Sequence, residues 1–282
     1  MAAALSSCLA AGCDNRSEAI VVGGKNFTEQ RVLGELIAQA VERSGMTAIR
    51  KLDLGGTFVC DSALRAGQID VYVEYTGTAL GAIVKDSSAA AAAPKDVLEK
   101  VRAAYAPAGL VWTKPLGFDN TFALVVREDA GVRTISEAVS QAGRWQAAFG
   151  YEFQQRADGY PALERTYGLR FASVRTMDLG LLYRALIDRQ ADVVVGSATD
   201  APIARFSLRV LEDDRHAFPP YEAVPVVRRE ALERHPAFQR VLEDLGGTID
   251  VAAMRRLNES VESGRAPADV VRDFLVASGR SR

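Results

Sequence analysis

Apolar positions along the chain follow two alternating rhythms. Ala19-Ile-Val-Val22 is a short β-branched run that reads as a strand, and Gly23-Gly-Lys-Asn-Phe27 follows it. From Thr28 the period lengthens. Leu33, Leu36, Ile37, Ala40 and Val41 then share one helix face, which Ser44-Gly45 ends. Positions 47 to 53 predict a second strand, and 58 to 66 a helix. Ile69, Val71, Val73 and Tyr75 alternate as a third strand, with Asp70 and Glu74 on its opposite face, where a solvated or capping role is expected. Pro94 supplies the fixed φ of a first turn and predicts a helix to Tyr105 behind the Ala-rich patch 89–93. Further strands are predicted near 110–112, 122–127, 146–149, 173–176, 192–195, 208–211 and 223–227. Helices are predicted near Ser136, over 161–167 and over 179–189. Beyond Arg228 the pattern is helical, broken at Gly246-Gly247 and Gly264. Repeated strand–helix units predict an α/β fold with mostly parallel sheets. Trp112 and Trp145 read as core, His216 and His235 as surface. There is no internal repeat.

Composition narrows the function classes. The chain has 282 residues, which at roughly 150 per domain predicts two domains. Net charge is −2, from 34 basic and 36 acidic residues, which argues against a nucleic-acid binder. Three cysteines (Cys8, Cys13, Cys60) are too few and too skewed for a disulfide scaffold or a zinc site, and two histidines exclude a multi-histidine metal centre. No metal and no cofactor is expected.

The first 18 residues read as a processing segment. A small, apolar stretch ends at Cys13 and gives way to polar Asp14-Asn-Arg-Ser-Glu18, and it is too short to span a membrane. It resembles a bacterial lipoprotein signal, with Ala-Ala-Gly-Cys13 as lipobox and Leu5-Ser-Ser-Cys8 as a second match, although no Lys or Arg precedes it. An acylated Cys13 implies a lipid anchor, and Cys60 would then be the remaining thiol. A disordered Ala-rich tail is the alternative.

Ligands of open α/β sheets bind beyond the carboxyl ends of the strands, so the loops there are where chemistry is sought. They are rich in glycine, hydroxyls and aromatics: 23–28, 54–57, 75–78, 119–121, 155–159, 196–200 and 218–221. None is a phosphate loop or a dinucleotide fingerprint. No nucleophile stands with a base and orienting group in an evident motif.

Seven segments of the chain resemble, in order, one family. Gly23-Gly-Lys-Asn-Phe-Thr-Glu-Gln30 and Ala63-Leu-Arg-Ala-Gly-Gln-Ile-Asp-Val-Tyr-Val-Glu-Tyr-Thr-Gly-Thr78 are similar to the opening motifs of bacterial ABC-transporter binding proteins for osmoprotectants. Gly117-Phe-Asp-Asn-Thr-Phe-Ala-Leu124, Arg156-Ala-Asp-Gly159, Asp178-Leu-Gly-Leu-Leu-Tyr183, Ala198-Thr-Asp200 and Phe218-Pro-Pro-Tyr221 continue the resemblance. It implies a two-lobed periplasmic-binding-protein fold of type II, each lobe a mixed, mostly parallel sheet flanked by helices. Lobe 1 would be residues 19–117 plus 220–282 and lobe 2 residues 118–219, with hinges near 115–121 and 216–221. It implies capture of glycine betaine, choline, carnitine or a similar zwitterionic or cationic ligand, and delivery to an ABC permease. The protein would be a monomer in the periplasm or on the outer face of the cytoplasmic membrane.

By the same resemblance Tyr75, Phe122 and Tyr221 would form an aromatic box for the cation, whose attraction is to the negative π-faces. Lys25, Thr78 and Arg156 would hold the ligand's carboxylate, Arg156 in bidentate fashion. Asn120 joins the binding candidates. The family's fourth aromatic falls on Ser197, which leaves three rings at most and keeps other betaines such as ergothioneine open. Two further readings are a ligand sensor that controls a partner, and an enzyme on the same scaffold with Cys60 as nucleophile.

Overall fold

The computed structural model describes residues 18–86, 93–156 and 158–279. The lipobox cysteines Cys8 and Cys13, and most of the Ala-rich patch, lie outside them. Among the described residues ten strands form two five-stranded sheets. The first contains β1 (Ala19–Gly23), β2 (Thr47–Lys51), β3 (Val71–Tyr75), β4 (Leu110–Trp112) and, from far along the chain, β10 (Ala223–Arg228), in the order β2-β1-β3-β10-β4. The second contains β5 (Phe122–Val126), β6 (Gln146–Phe149), β7 (Ser173–Thr176), β8 (Val193–Ser197) and β9 (Arg209–Val210), in the order β7-β6-β8-β5-β9.

Both sheets are mixed in the same way. β1 runs parallel to β2 and β3, and β6 runs parallel to β7 and β8, as strand–helix–strand units require. β10 is antiparallel to β3 and β4, and β5 to β8 and β9. These two are the first strands after the chain passes from one sheet to the other. They enter at the carboxyl ends of their parallel neighbours and therefore run the opposite way.

Helices cover both faces of the first sheet. One cluster packs Val71, Val73 and Tyr75 against Leu33, Leu36 and Ile37, and against Phe238, Met254 and Val271 of the C-terminal helices. The other packs Tyr72 against Cys60, Leu64, Val101 and Trp112. The solvated role expected of Asp70 and Glu74 is thereby corrected, since no face of β3 is wet and both carboxylates are buried. Asp70 accepts from the Val21 N–H at 2.9 Å and pairs with Arg234 at 2.7 Å. Glu74 ion-pairs with Lys25 and accepts from the Tyr75 N–H at 2.7 Å.

Local backbone explains where elements stop. β2 ends before Asp53, which adopts a left-handed φ of 62° that no strand accommodates. The Leu179–Ile187 helix stops ahead of Arg189, at φ 59°. Trp112 is core, whereas Trp145 is half-buried beside the second sheet. His216 is exposed, and His235, expected at the surface, is half-buried at the start of the Pro236–Leu245 helix.

The chain crosses between the sheets twice, and the crossings lie side by side. Asp119 and Glu222 form an antiparallel bridge, and the Asn120 N–H donates to the Tyr221 carbonyl at 3.1 Å. The Thr121 hydroxyl donates to the Pro219 carbonyl at 3.2 Å. Gly77 makes the return crossing fit, since a Cβ there would stand 2.6 Å from the Pro220 carbonyl and 3.0 Å from the Tyr221 ring. The Asp119 carboxylate accepts from the Tyr221 N–H at 3.0 Å.

Burial pushes the Asp119 carboxyl up to about 6, against the Tyr221 N–H and with help from the neighbouring Glu222 charge. A raised acid contributes stability that is full below its unfolded value and lost as pH rises through the folded one. Asp119→Asn should therefore gain on the wild type by roughly 2 kcal/mol between about pH 4 and about pH 7. Urea unfolding at both pH values checks this, and a constant difference between the two proteins would contradict it.

Candidate functional site

A cavity of about 920 Å³ opens between the two sheets, beside the paired crossings. All eight binding candidates line it. Lys25, Tyr75 and Thr78 reach it from the first sheet's side, Arg156 and Ser197 from the second's, and Asn120, Phe122 and Tyr221 from the crossings and the start of β5. The volume falls in the range of small-molecule sites.

The floor is organised by Glu29, in the first turn of the Thr28–Arg43 helix. Its buried carboxylate accepts from the Tyr75 hydroxyl at 2.5 Å, the Asn120 amide at 3.1 Å and the Asn258 amide at 3.2 Å. These donors are all neutral. Burial raises the Glu29 carboxyl, and hydrogen bonds from Thr199, Tyr75 and Asn258 oppose the rise. The network spans both halves of the molecule. The Thr199 hydroxyl, just past β8, donates to Asn120 at 2.7 Å, and Asn258 also donates to the Thr199 carbonyl at 3.0 Å. The Val251–Glu262 helix that carries Asn258 packs its apolar face with the first sheet's core. It also reaches the second half, where Arg255 donates to the Ala198 carbonyl at 2.5 Å.

Tyr75 is held as β3 ends. Its hydroxyl donates to Glu29 and accepts from Gln30 at 3.2 Å, which fixes the ring in the wall. The Lys25 ammonium lies 4.9 Å from the ring centroid while pairing with Glu74. That pairing commits the Lys25 charge within the protein, because a fully buried Glu74 needs a partner. Phe27 stacks on Tyr75 at 6.5 Å and 23°, lines the cavity, and is 39% exposed.

On the opposite wall the rings form a continuous cluster. Phe122 meets Phe153 at 5.0 Å, Phe218 at 5.5 Å and Tyr221 at 6.1 Å, all edge-on. The Arg156 guanidinium lies 5.3 Å from the Phe122 centroid. It is forked onto Asp158 at 2.9 and 2.7 Å and donates to the Tyr221 hydroxyl at 3.3 Å. The Tyr221 hydroxyl donates to Asp158 at 3.0 Å. Burial raises the Asp158 carboxyl, and the hydrogen bonds and charge of Arg156 outweigh it, leaving the group below its ordinary value. Arg156 thus pairs with Asp158 and lines the cavity wall in one arrangement.

Ser197 ends β8 directly opposite Phe122 in the ladder. Its N–H donates to Asp200 at 2.9 Å. Cys60 is buried away from this chemistry, and burial pushes its thiol up to about 11, far from a reactive thiolate. Among the described residues no group of His, Cys, Asp and Glu is arranged to hold a metal. None of their helices is long and apolar enough to cross a membrane.

Sequence reasoning did not single out Phe27, Glu29 or Asp158 for the site. All three stand inside motifs that carried the resemblance, beside residues that were singled out. The available signal was their place in those motifs, Phe27 and Glu29 shortly after Lys25 and Asp158 between Arg156 and Gly159.

The model for the substrate binding domain of ABC-type glycine betaine transport systems matches residues 18–277. The glycine-betaine-binding protein of Pseudomonas aeruginosa is 35% identical over 92% of this chain and 88% of its own length. The ergothioneine transport permease/ergothioneine binding protein EgtU of Helicobacter pylori is 32% identical over 92% of this chain, which spans 48% of that longer protein. The crystal structure of a glycine betaine/carnitine/choline ABC transporter protein superposes with a TM-score of 0.88 at 27% identity, over 93% of this chain and 99% of the other.

Removing the Glu29 carboxylate strands three donors. Glu29→Ala should lose about 3 kcal/mol of stability, and Tyr75→Phe, which removes one donor, about 1 kcal/mol. Urea unfolding checks the ranking. Equal small losses would show that the network holds nothing together.

Proposed function

The chain belongs to the substrate-binding domain family of ABC-type glycine betaine transport systems, and on that premise we propose that it captures a quaternary-ammonium betaine between its two halves and delivers it to an ABC permease. The observation that carries this reading is the convergence of Phe27 on one wall with Phe122, Tyr221 and Arg156 on the other, around one cavity between the sheets. Aromatic faces recognise a methylated ammonium that no hydrogen-bond acceptor suits, and a guanidinium recognises the carboxylate at the other end.

The proposed sequence of events uses only these groups. Residues 19–117 with 220–282, and residues 118–219, act as lobes that move about the paired crossings. The Arg156 guanidinium lies over Phe122. The ligand's cationic head takes that ring face, with Tyr221 beside it, and Arg156 turns to its carboxylate, with Thr78 across the cleft. Lys25 stays with Glu74 and shapes the wall behind Tyr75. Lobe closure removes water and strengthens both contacts. The protein works outside the cytoplasm as a monomer, tethered through acylated Cys13. A larger betaine such as ergothioneine is the second reading, favoured by the EgtU likeness and by Ser197 in place of a ring.

Tyr221→Ala should weaken glycine betaine or choline binding at least about tenfold, from the lost ring face and the lost Asp158 contact. Titration calorimetry measures it. Unchanged affinity would remove the aromatic box from the mechanism.

A further inference from the structure

The Arg156–Asp158 pair has the charge pattern of a zwitterion set against a ring. A delocalised cation lies 5.3 Å from the Phe122 centroid, and a carboxylate is forked onto that cation at 2.9 and 2.7 Å. Both residues line the cavity.

The two partners are not held equally. The Arg156 side chain is 45% exposed and the Asp158 side chain 25%. Asp158 has a second anchor, the Tyr221 hydroxyl, which donates to it at 3.0 Å. Its backbone is fixed by a tight turn, closed by the Gly159 N–H on the Arg156 carbonyl at 3.0 Å. A Cβ on Gly159 would collide with the Phe153 carbonyl, so glycine is what lets this turn pack. Gly159 also caps the Tyr160–Tyr167 helix, which ties the turn to a regular element. The guanidinium is thus the partner with freedom to leave, and the carboxylate the one that stays.

After such a departure the site holds an aromatic face with a fixed negative charge beside it. A cation that takes the guanidinium's place comes within about 4–6 Å of Asp158, the range in which opposite charges stabilise one another. Asp86, the other carboxylate among the described residues that line the cavity, pairs with Lys100 at 3.6 Å on the first sheet's side.

We infer that Asp158 is the counter-charge of the ligand's ammonium, and that exchange of the Arg156–Asp158 pair for two protein–ligand pairs selects zwitterions over plain cations. This rests on the betaine-binding reading above and deepens it. With glycine betaine every charge is answered, the ammonium by Asp158 and the carboxylate by Arg156. Choline brings a second cation to a single carboxylate, and one of the two cations is left unanswered. A closed, water-poor cleft makes that most costly.

Calorimetry with glycine betaine and choline on the wild type, Asp158→Asn and Arg156→Gln tests this, with thermal midpoints to show that each variant is folded. The wild type should bind glycine betaine at least about tenfold more tightly than choline. Asp158→Asn should weaken choline at least about tenfold and glycine betaine at least about threefold less than that, because the betaine carboxylate still answers Arg156. Arg156→Gln should shift the preference the other way. Glycine betaine weakens, and choline binds more tightly, since it then meets Asp158 without a competing cation. A folded Asp158→Asn that changes both affinities equally, or weakens glycine betaine more, overturns the inference and leaves the betaine reading standing. So does a wild type that binds choline as tightly as glycine betaine, or an Arg156→Gln variant with no gain for choline. Arg156→Gln decides alone where Asp158→Asn does not fold. Binding of neither ligand by the wild type overturns the betaine reading and this inference with it.

Discussion

The structure depends on a buried carboxylate answered by neutral hydrogen-bond donors. Glu29 stands under the cavity with Tyr75, Asn120 and Asn258 pointing hydrogen-bond donors at it. A charge in that position is costly unless every lone pair is served. The donors come from β3's end, from the first crossing and from the helix that reaches over both halves. Satisfying one carboxylate therefore fixes the ring in the cavity wall, the start of the crossing and the approach of the two sheets. The same constraint accounts for Asn120, which donates to the hub through its amide N–H and accepts from Thr199 through its oxygen.

Two of the cations that line the cavity stand in closed pairs. Lys25 answers Glu74, and Arg156 answers Asp158. Each pair leaves a wall that is locally neutral yet polar, and each cation lies against an aromatic ring, Lys25 on Tyr75 and Arg156 on Phe122. Lys85, Asp86 and Arg165 line the same cavity, and the two closed pairs suit a ligand that is itself internally balanced. The buried Lys25–Glu74 pair is expensive to break by half, so it serves as scaffold, whereas the half-exposed Arg156 has the freedom to change partners.

Much of this was legible in the residues. The strands 110–112, 146–149 and 173–176 and the Pro94–Tyr105 helix begin and end where alternation, helical period and a leading proline predict. The family and its two-sheet α/β fold followed from seven ordered motifs. What escaped has physical causes. Period-2 reasoning assumes one wet face per strand, and helices on both faces of β3 buried Glu74 instead. The helical turns over 76–84 follow β3 without a break, and Thr-Gly-Thr reads locally as a loop. Glu29 looked like an ordinary first-turn acid, because its partners lie as many as 229 positions away. The placement of Ser197 against Phe122 depends on ladder register between β5 and β8, which no local pattern encodes.

A crystal structure of the protein with a bound betaine tests the central claim most directly. The account predicts the methylated ammonium between the sheets, within about 6 Å of the Phe122 and Tyr221 ring centroids, with the ligand carboxylate on Arg156 and Glu29 still bonded to Tyr75. A betaine seated elsewhere, or one whose ammonium faces away from both rings, would contradict it.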